Sequence, residues 1–234
     1  MTRASGTWVV VPVKEATHAK TRLAADFAPD VRIELARAML EDVLDALSHV
    51  RWLAGVVLAT SDPYAIGLAR RLQARVFPDA ARNGHTGAVA AAALRLENQG
   101  CVSMLTVPGD VPAVSPVEIE RVLLAHREAR SFTIAPAHDR RGSNAIAMSP
   151  PCAVPLAFGN DSFQPHLAAA RSRGIEPTIV DQVPGLARDV DCLDDVVALL
   201  ALPGAPRTKR VLAERTTLNV GSESLDFGLS HGHG

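Results

Sequence analysis

Short apolar runs alternate with helical stripes of apolar residues along most of this chain. The β-branched run from Trp8 to Val13 predicts a buried strand. Apolar residues recur every four positions from Val31 to Leu47, which predicts a helix with one apolar face. The same criteria predict further strands at 56–59, 74–77, 102–107, 132–135, 145–148 and 177–180, and further helices at 64–73, 88–96, 165–173 and 193–202.

Two helix starts are marked by capping residues. Asp62 and Pro63 precede one apolar stripe, and Ser115, Pro116 and Glu118 form a capping-box pattern before another. Strands that alternate with helices predict an α/β fold, a mostly parallel sheet flanked by helices. The pattern fails from Pro203 onward. We therefore predict one domain over residues 1–202 and a C-terminal extension over 203–234 that is weakly ordered at its end.

Composition narrows the class of protein. The 234 residues suffice for one α/β domain, with 47 % hydrophobic and 21 % charged side chains. A formal charge of −1 argues against a general nucleic-acid binder, and no apolar run is long enough for a membrane helix. Three widely spaced cysteines match no zinc pattern and, with no signal peptide evident, favour the cytoplasm. The His-Gly tail is more often incidental than a metal site.

A basic loop follows the first predicted strand. Lys14, Lys20 and Arg22 stand there, with His18 between them. In open α/β sheets, ligands bind at the carboxyl ends of strands, so these cations suggest a polyanionic ligand such as a triphosphate. The alternative is a solvated basic loop after an ordinary strand.

Carboxylates follow two other predicted strands. The turn Val107 to Asp110 places one carboxylate at the edge of the sheet. Asp189 and Asp191 are two apart in an extended segment and point the same way. Together the three could hold Mg²⁺ against nucleotide phosphates. The alternative makes Asp191 or Asp194 a helix cap and leaves Asp110 to cap its turn.

Small polar residues cluster in a third place. Gly142 to Asn144 and the later segment Phe158 to Phe163 carry donors that can cradle an anion, and a helix starting near Ser162 would add its dipole. The alternative is a pair of ordinary turns. His166 is expected to pack or hydrogen-bond rather than act as a general base. The chain has no nucleophile elbow, Walker loop or dinucleotide fingerprint.

In this order the motifs resemble those of the guanylyltransferase family of coenzyme F420 biosynthesis, over about residues 8–202. The resemblance implies a single domain with a GT-A-like nucleotidyltransferase fold. It also implies an enzyme that transfers GMP from GTP to 2-phospho-L-lactate, phosphoenolpyruvate or 3-phospho-D-glycerate. The segments that carry it are Val11 to Lys14, Ala19 to Leu23, Val107 to Asp110, Gly142 to Asn144, Phe158 and Gly159 with Ser162 and His166, and Asp189 to Asp191.

The resemblance also implies roles for individual residues. Chemistry would rest on Asp110, Lys20 and Arg22, with Mg²⁺ as cofactor. The chain departs from the family at Gly84 to Ala88, near the guanine pocket, and at Ser143 and Asn144, where some members have threonine. The implied nucleotide site is Lys14, Lys20, Arg22, Gly84, Pro108 and Gly109; the implied acid site is Asn144, Gly159 and Ser162; the implied metal ligands are Asp110, Asp189 and Asp191.

This chemistry needs no protein base, because a phosphate monoester is already largely dianionic at neutral pH. Repulsion between two polyanions limits the reaction, and cations relieve it. Two alternatives remain: the same fold acting on a sugar phosphate or molybdopterin, and a non-catalytic nucleotide-binding subunit. We expect GTP and a small phospho-acid as partners, and apolar surface on the helices is compatible with a homodimer.

Overall fold

A computed structural model describes residues 6–15, 20–78, 84–127, 129–159 and 161–223, with side chains described to residue 215. None of the helices in this part of the chain has the length and apolar character needed to cross a membrane. The elements, in chain order, are β1 Thr7–Pro12, α1 Pro29–Ser48, β2 Leu53–Ala59, α2 Pro63–Arg71, β3 Arg75–Val76, α3 Gly84–Asn98, β4 Met104–Thr106, α4 Pro116–Ala125, β5 Ser131–Pro136, β6 Ser143–Ser149, α5 Phe163–Ser172, β7 Thr178–Ile179, α6 Leu193–Ala201 and α7 Pro206–Glu223.

The strands form one seven-stranded sheet in the order β3-β2-β1-β4-β6-β5-β7. β6 runs antiparallel to both of its neighbours, and every other pairing is parallel. The predicted α/β class and mostly parallel sheet are confirmed. Because β6 is reversed, its first residue, Ser143, lies at the edge where β1, β4 and β5 end. That edge carries the residues predicted to form the site.

Helices cover both faces of the sheet. Along β1, Val9 and Val11 pack with α1, α2 and α4, whereas Val10 packs with α3 and α5. The alternation follows from the two-residue period of a strand, and an apolar residue at every position is typical of a strand buried on both faces. The central strands are therefore rigid supports for the loops at their ends.

The two predicted helix starts are confirmed. The Asp62 carboxylate accepts a hydrogen bond from the Ala65 N–H at 2.9 Å. Ser115 and Glu118 form a reciprocal capping box. The buried Glu118 also accepts from the Gly185 N–H at 2.7 Å, which ties α4 to the segment that leads to Asp189.

Helix α7 is not predicted by the sequence pattern. Its first turn is capped by Asp42 of α1, which accepts hydrogen bonds from the Thr208 N–H at 2.9 Å and the Thr208 hydroxyl at 2.8 Å. Val211 and Leu212 of α7 join a core cluster with residues of α1. Residues 224–234, including the tail histidines, lie outside the described part of the chain. The division at residues 202 and 203 stays a prediction.

Candidate active site

Three adjoining cavities open at the carboxyl edge of the sheet. The first, of about 310 Å³, lies beside the loop after β1 and the loop after β4. The second, of about 540 Å³, extends from the same loops to β6 and α5. The third, of about 270 Å³, lies between the ends of β1 and β2 and the start of α3. Because Lys14 and His85 line all three cavities, the three cavities form one continuous cleft.

The first two cavities meet at an ion-pair network around Lys20. Its Nζ donates to Asp110 Oδ2 at 2.6 Å and to Asp191 Oδ1 at 2.9 Å. Arg22 Nη1 lies 3.6 Å from Asp191 Oδ2. The Lys20 backbone is left-handed (φ 54°) just before a 3₁₀ turn over Thr21–Leu23. The predicted basic loop is thus joined to carboxylates from two distant segments.

Electrostatics keep this network charged at neutral pH. Burial by itself would lower the pKa of Lys20, but Asp110 and Asp191 outweigh it and hold that pKa above its ordinary value. Burial would likewise raise the pKa of Asp110, and the Lys20 ammonium outweighs it and holds that pKa below its ordinary value. Lys20 is therefore a cation and Asp110 an anion.

Asp189 has a different partner. Its Oδ1 accepts a hydrogen bond from Asn144 Nδ2 at 3.2 Å, and the same amide donates to the Leu186 carbonyl at 3.1 Å. Burial, with the nearby Asp110 charge, raises the pKa of Asp189. Asn144 is itself buried, so it holds the Asp189 carboxylate at the wall of the second cavity.

The alternative in which Asp191 or Asp194 caps a helix does not hold in the structure. Cys192 occupies the N-cap of α6, and Asp195 at the third helical position accepts from the N–H groups of Asp191 and Cys192. Because Asp195 satisfies these backbone groups, the Asp191 side chain stays directed to Lys20.

The predicted metal ligands reach one edge of the sheet without forming a preassembled triad. Among the described residues, no group of three or more His, Cys, Asp or Glu side chains lies close enough to hold a metal ion. Asp110 and Asp191 nevertheless converge on a single cation, the Lys20 ammonium. This donor pair fits a hard cation, for which carboxylate oxygens are the preferred ligands.

The far end of the second cavity is lined by the hydroxyl groups of Ser143 and Ser162, and a buried histidine lies behind them. Ser162 Oγ donates to Ser143 Oγ at 3.2 Å, and His166 Nδ1 lies 3.0 Å from the same oxygen. His166 Nε2 accepts from the Ala157 N–H at 3.0 Å. Burial lowers the pKa of His166 to about 4. As predicted, His166 is a packed, hydrogen-bonding residue.

Every predicted site residue lines the cleft, although the binding roles remain predictions. His18, Ala19 and Asn160, which belong to the predicted motifs, lie outside the described residues. The first cavity is lined by Lys14, Lys20, Arg22, Pro108, Gly109, Asp110 and Asp191. The second is lined by Lys14, Arg22, Pro108, Asp110, Asn144, Gly159, Ser162, Asp189 and Asp191, and the third by Lys14 and Gly84.

Several lining residues were not singled out from the sequence. Glu15 and Ser61 line the third cavity just after β1 and β2, and Arg141 lines the second from the loop between β5 and β6. His85, noted only as part of a departure, stacks edge-on against Phe158 at 4.6 Å between ring centroids. Glu15 and Ser61 could have been found from the sequence, because each lies just after a predicted strand, where ligands bind in an α/β sheet.

Comparison with known proteins agrees with this arrangement. Residues 7–221 match the family model described as "Guanylyl transferase CofC like". The chain is 38 % identical over 195 residues to a phosphoenolpyruvate guanylyltransferase of Sphaerobacter thermophilus, covering 82 % of this chain and 92 % of the relative. It is 31 % identical over 203 residues to a 3-phospho-D-glycerate guanylyltransferase of Colwellia psychrerythraea, covering 87 % and 95 %.

A solved structure shows the same fold. A proposed nucleotide-diphospho-sugar transferase from Desulfovibrio desulfuricans superposes with a TM-score of 0.72 at 19 % identity, over 92 % of this chain and 97 % of that one. Fold and sequence relatives together define a nucleotidyltransferase. The chain belongs to the CofC-like guanylyl transferase family.

Proposed function

We propose that the protein transfers GMP from GTP to the phosphate of a three-carbon acid, as a step of coenzyme F420 biosynthesis. An oxygen of the acceptor phosphate attacks the α-phosphorus of GTP, the bond from that phosphorus to the bridging oxygen breaks, and pyrophosphate leaves. The names of the sequence relatives support the two substrates. The observation that carries the proposal is the convergence of Lys20, Asp110 and Asp191 where the first two cavities meet.

The nucleotide belongs in the first and third cavities. Lys14, Lys20 and Arg22 supply positive charge at the carboxyl end of β1, where the triphosphate oxygens need it. A Cβ added at Gly109 would lie 3.3 Å from Leu40 of α1 and 3.7 Å from Val11 of β1, so the glycine lets the turn with Pro108 lie close to these side chains. The third cavity, with Gly84 at its rim, is the space available for the base.

The acidic residues fit a divalent cation, which we propose to be Mg²⁺. Asp110 and Asp191 already converge on one positive charge, and Asp189 lines the same cavity. When bound, the ion would neutralise phosphate charge as it builds on the leaving pyrophosphate. Lys20 would then be released to the phosphate oxygens, because an ammonium and a divalent cation repel each other between the same carboxylates.

The acceptor belongs at the far end of the second cavity. Asn144, Gly159 and Ser162 line it, and polar groups there can bind a small carboxylate. The acceptor phosphate needs no base because it is already dianionic. The low pKa of His166 is consistent with this chemistry, since a buried neutral imidazole of that kind is a poor proton acceptor.

The test is pyrophosphate release with GTP, Mg²⁺ and a panel of 2-phospho-L-lactate, phosphoenolpyruvate and 3-phospho-D-glycerate, with ATP and CTP as controls. Release with GTP and one acid supports the proposal and identifies the acceptor. Release only with a sugar phosphate or molybdopterin favours the first alternative. GTP binding without release under any condition favours a non-catalytic subunit.

We also propose a cytoplasmic homodimer. Large apolar side chains are exposed on α4 and α6, among them Leu124 and Val197, and burying them between two copies would remove apolar surface from water. Sedimentation equilibrium over a tenfold range of protein concentration tests the dimer. A monomer throughout that range would contradict it.

A further inference from the structure

A chain of hydrogen bonds runs from α5 to the acceptor end of the second cavity. Ser162, just before α5, donates to Ser143 at the start of β6, and His166 one turn into α5 bonds to the same serine oxygen. Ser162 and His166 are almost completely buried, and Ser143, which lines the cavity together with Ser162, is the most accessible of the three. Two buried groups therefore hold one accessible hydroxyl.

The direction of each bond follows from the partners of His166. The Ala157 backbone N–H is only a donor, so His166 Nε2 must be its acceptor and carries no proton. With a pKa of about 4, the imidazole is neutral at pH 7 and its single proton sits on Nδ1. That proton is donated to Ser143 Oγ, 3.0 Å away.

The Ser143 hydroxyl is thereby left as a donor. A hydroxyl oxygen has two lone pairs and one proton. His166 and Ser162 occupy the two lone pairs, and no described residue accepts the proton. Since Ser143 lines the second cavity, its proton is available to an anionic oxygen bound there.

The behaviour of Ser162 argues that this arrangement is more than packing. Serine is a preferred N-cap residue, and capping the first turn is worth about 1 kcal/mol. Ser162 stands at the N-cap of α5 but makes no side-chain cap to that turn. Its hydroxyl goes to Ser143 instead.

We propose that His166 is a positioning residue that, through Ser143, fixes a hydrogen-bond donor for an anionic oxygen of the acceptor acid. The inference rests on the proposed function for the identity of the acceptor. His166 touches neither substrate. It sets the polarity of the serine hydroxyl, and Phe158 packs edge-on against its ring with centroids 5.2 Å apart.

Two variants separate the two hydrogen bonds of His166. In His166→Asn, the side-chain nitrogen can replace Nδ1 and keep the donor to Ser143, while the Ala157 N–H loses its acceptor. In His166→Gln, the longer amide can reach the Nε2 position and keep the acceptor for Ala157, while Ser143 loses its donor. A positioning role and a purely structural role therefore predict opposite rankings.

We expect His166→Gln to raise the KM for the acceptor about tenfold and to leave the KM for GTP unchanged. The reason is that the hydrogen bond from Ser143 to the anionic acceptor is weakened, and a hydrogen bond to a charged group contributes about tenfold or more to affinity. His166→Asn should restore the acceptor KM to within about threefold of wild type, although thermal unfolding shows it to be the less stable variant. If acceptor KM follows stability instead, or if both KM values rise together, the proposal is wrong.

A double variant adds a test that does not depend on matching side-chain shapes. If His166 acts through Ser143, Ser143→Ala with His166→Gln should raise the acceptor KM no more than Ser143→Ala alone. Multiplying effects would overturn the proposal. If wild type shows no turnover, ¹⁵N NMR of His166 still tests the proposed hydrogen bonds. A neutral imidazole protonated on Nε2 instead of Nδ1 would refute the proposal, whatever the enzyme's substrates are.

Discussion

Replacing Lys20 with methionine tests the centre of the site, because it removes a buried ammonium while keeping most of the length of the side chain. The Lys20 side chain is 7 % exposed, and its partners Asp110 and Asp191 are 33 % and 39 % exposed. Breaking a buried pair costs about 3–5 kcal/mol. Solvent around the two carboxylates screens part of this, so we expect a loss of roughly 2–3 kcal/mol in the free energy of unfolding.

The difference between wild type and Lys20→Met should depend on pH. The pKa of Lys20 is raised, so its contribution is present below 10.5 and is lost only as the pH rises beyond that value. The pKa of Asp110 is lowered, so its contribution is present above 3.8 and is lost as the pH falls through the lowered value. The full difference is expected between these limits.

Urea unfolding at pH 7 and at pH 3.5 measures this difference directly. Lys14→Met is the matched control, since Lys14 lines the first cavity together with Lys20 but makes no ion pair with any described residue. It should change the free energy of unfolding by no more than about 0.5 kcal/mol. Mg²⁺ should also stabilise Lys20→Met more than wild type, because the Asp110 and Asp191 carboxylates have then lost the ammonium between them.

Two results would refute this reasoning. Equal stability of wild type and Lys20→Met at pH 7 would mean that the ion pairs contribute nothing to folding. An equal response of both proteins to Mg²⁺ would mean that the ammonium and the metal do not compete for the same carboxylates.

Three further predictions concern the site, the backbone and pH. Asp110→Asn should reduce pyrophosphate release by about 100-fold or more with an unchanged circular dichroism spectrum, and activity within tenfold of wild type would contradict its metal role. Gly185→Ala should cost roughly 1–3 kcal/mol in urea unfolding, because a Cβ there would lie 2.1 Å from a carbonyl oxygen, whereas Gly67→Ala, in open space, should not destabilise. His126 and His166 both have pKa values lowered to about 4 by burial, so wild-type stability should fall as the pH drops from 6.5 toward 4, and a flat profile would contradict their neutral burial.

Most of the fold could be predicted because local patterns determine the local elements. The β-branched run of β1 and the Ser115 and Glu118 capping box specify their elements without distant help. Helix α7 could not be predicted, because its first turn is capped by Asp42, 166 residues before Thr208. Pro206 also stands at its first helical position, where proline begins a helix as readily as it ends another.

The site was predicted as a set of strand ends, not as a set of contacts. The rule that ligands bind at the carboxyl edge brings Lys20, Asp110 and Asp191 near one another. It does not give the bonds, which join residues 90 and 171 positions apart. The hydrogen bond between Ser143 and His166 was not predicted for the same reason, since the two residues are 23 positions apart and lie in different elements.

The reversal of β6 brings two separate stretches of the chain to one cleft, one on the predicted nucleotide side and one on the predicted acceptor side. The predicted nucleotide residues all precede position 111, and the predicted acceptor residues all follow position 136. Because β6 is antiparallel to β4 and β5, its first residue, Ser143, lies at the same edge as the nucleotide residues. The proposed function therefore predicts that substitutions in the hairpin between β5 and β6 alter which acid is accepted and leave the binding of GTP unchanged. On the proposed arrangement, the specificity for the acid is set in one half of the chain and the binding of GTP in the other.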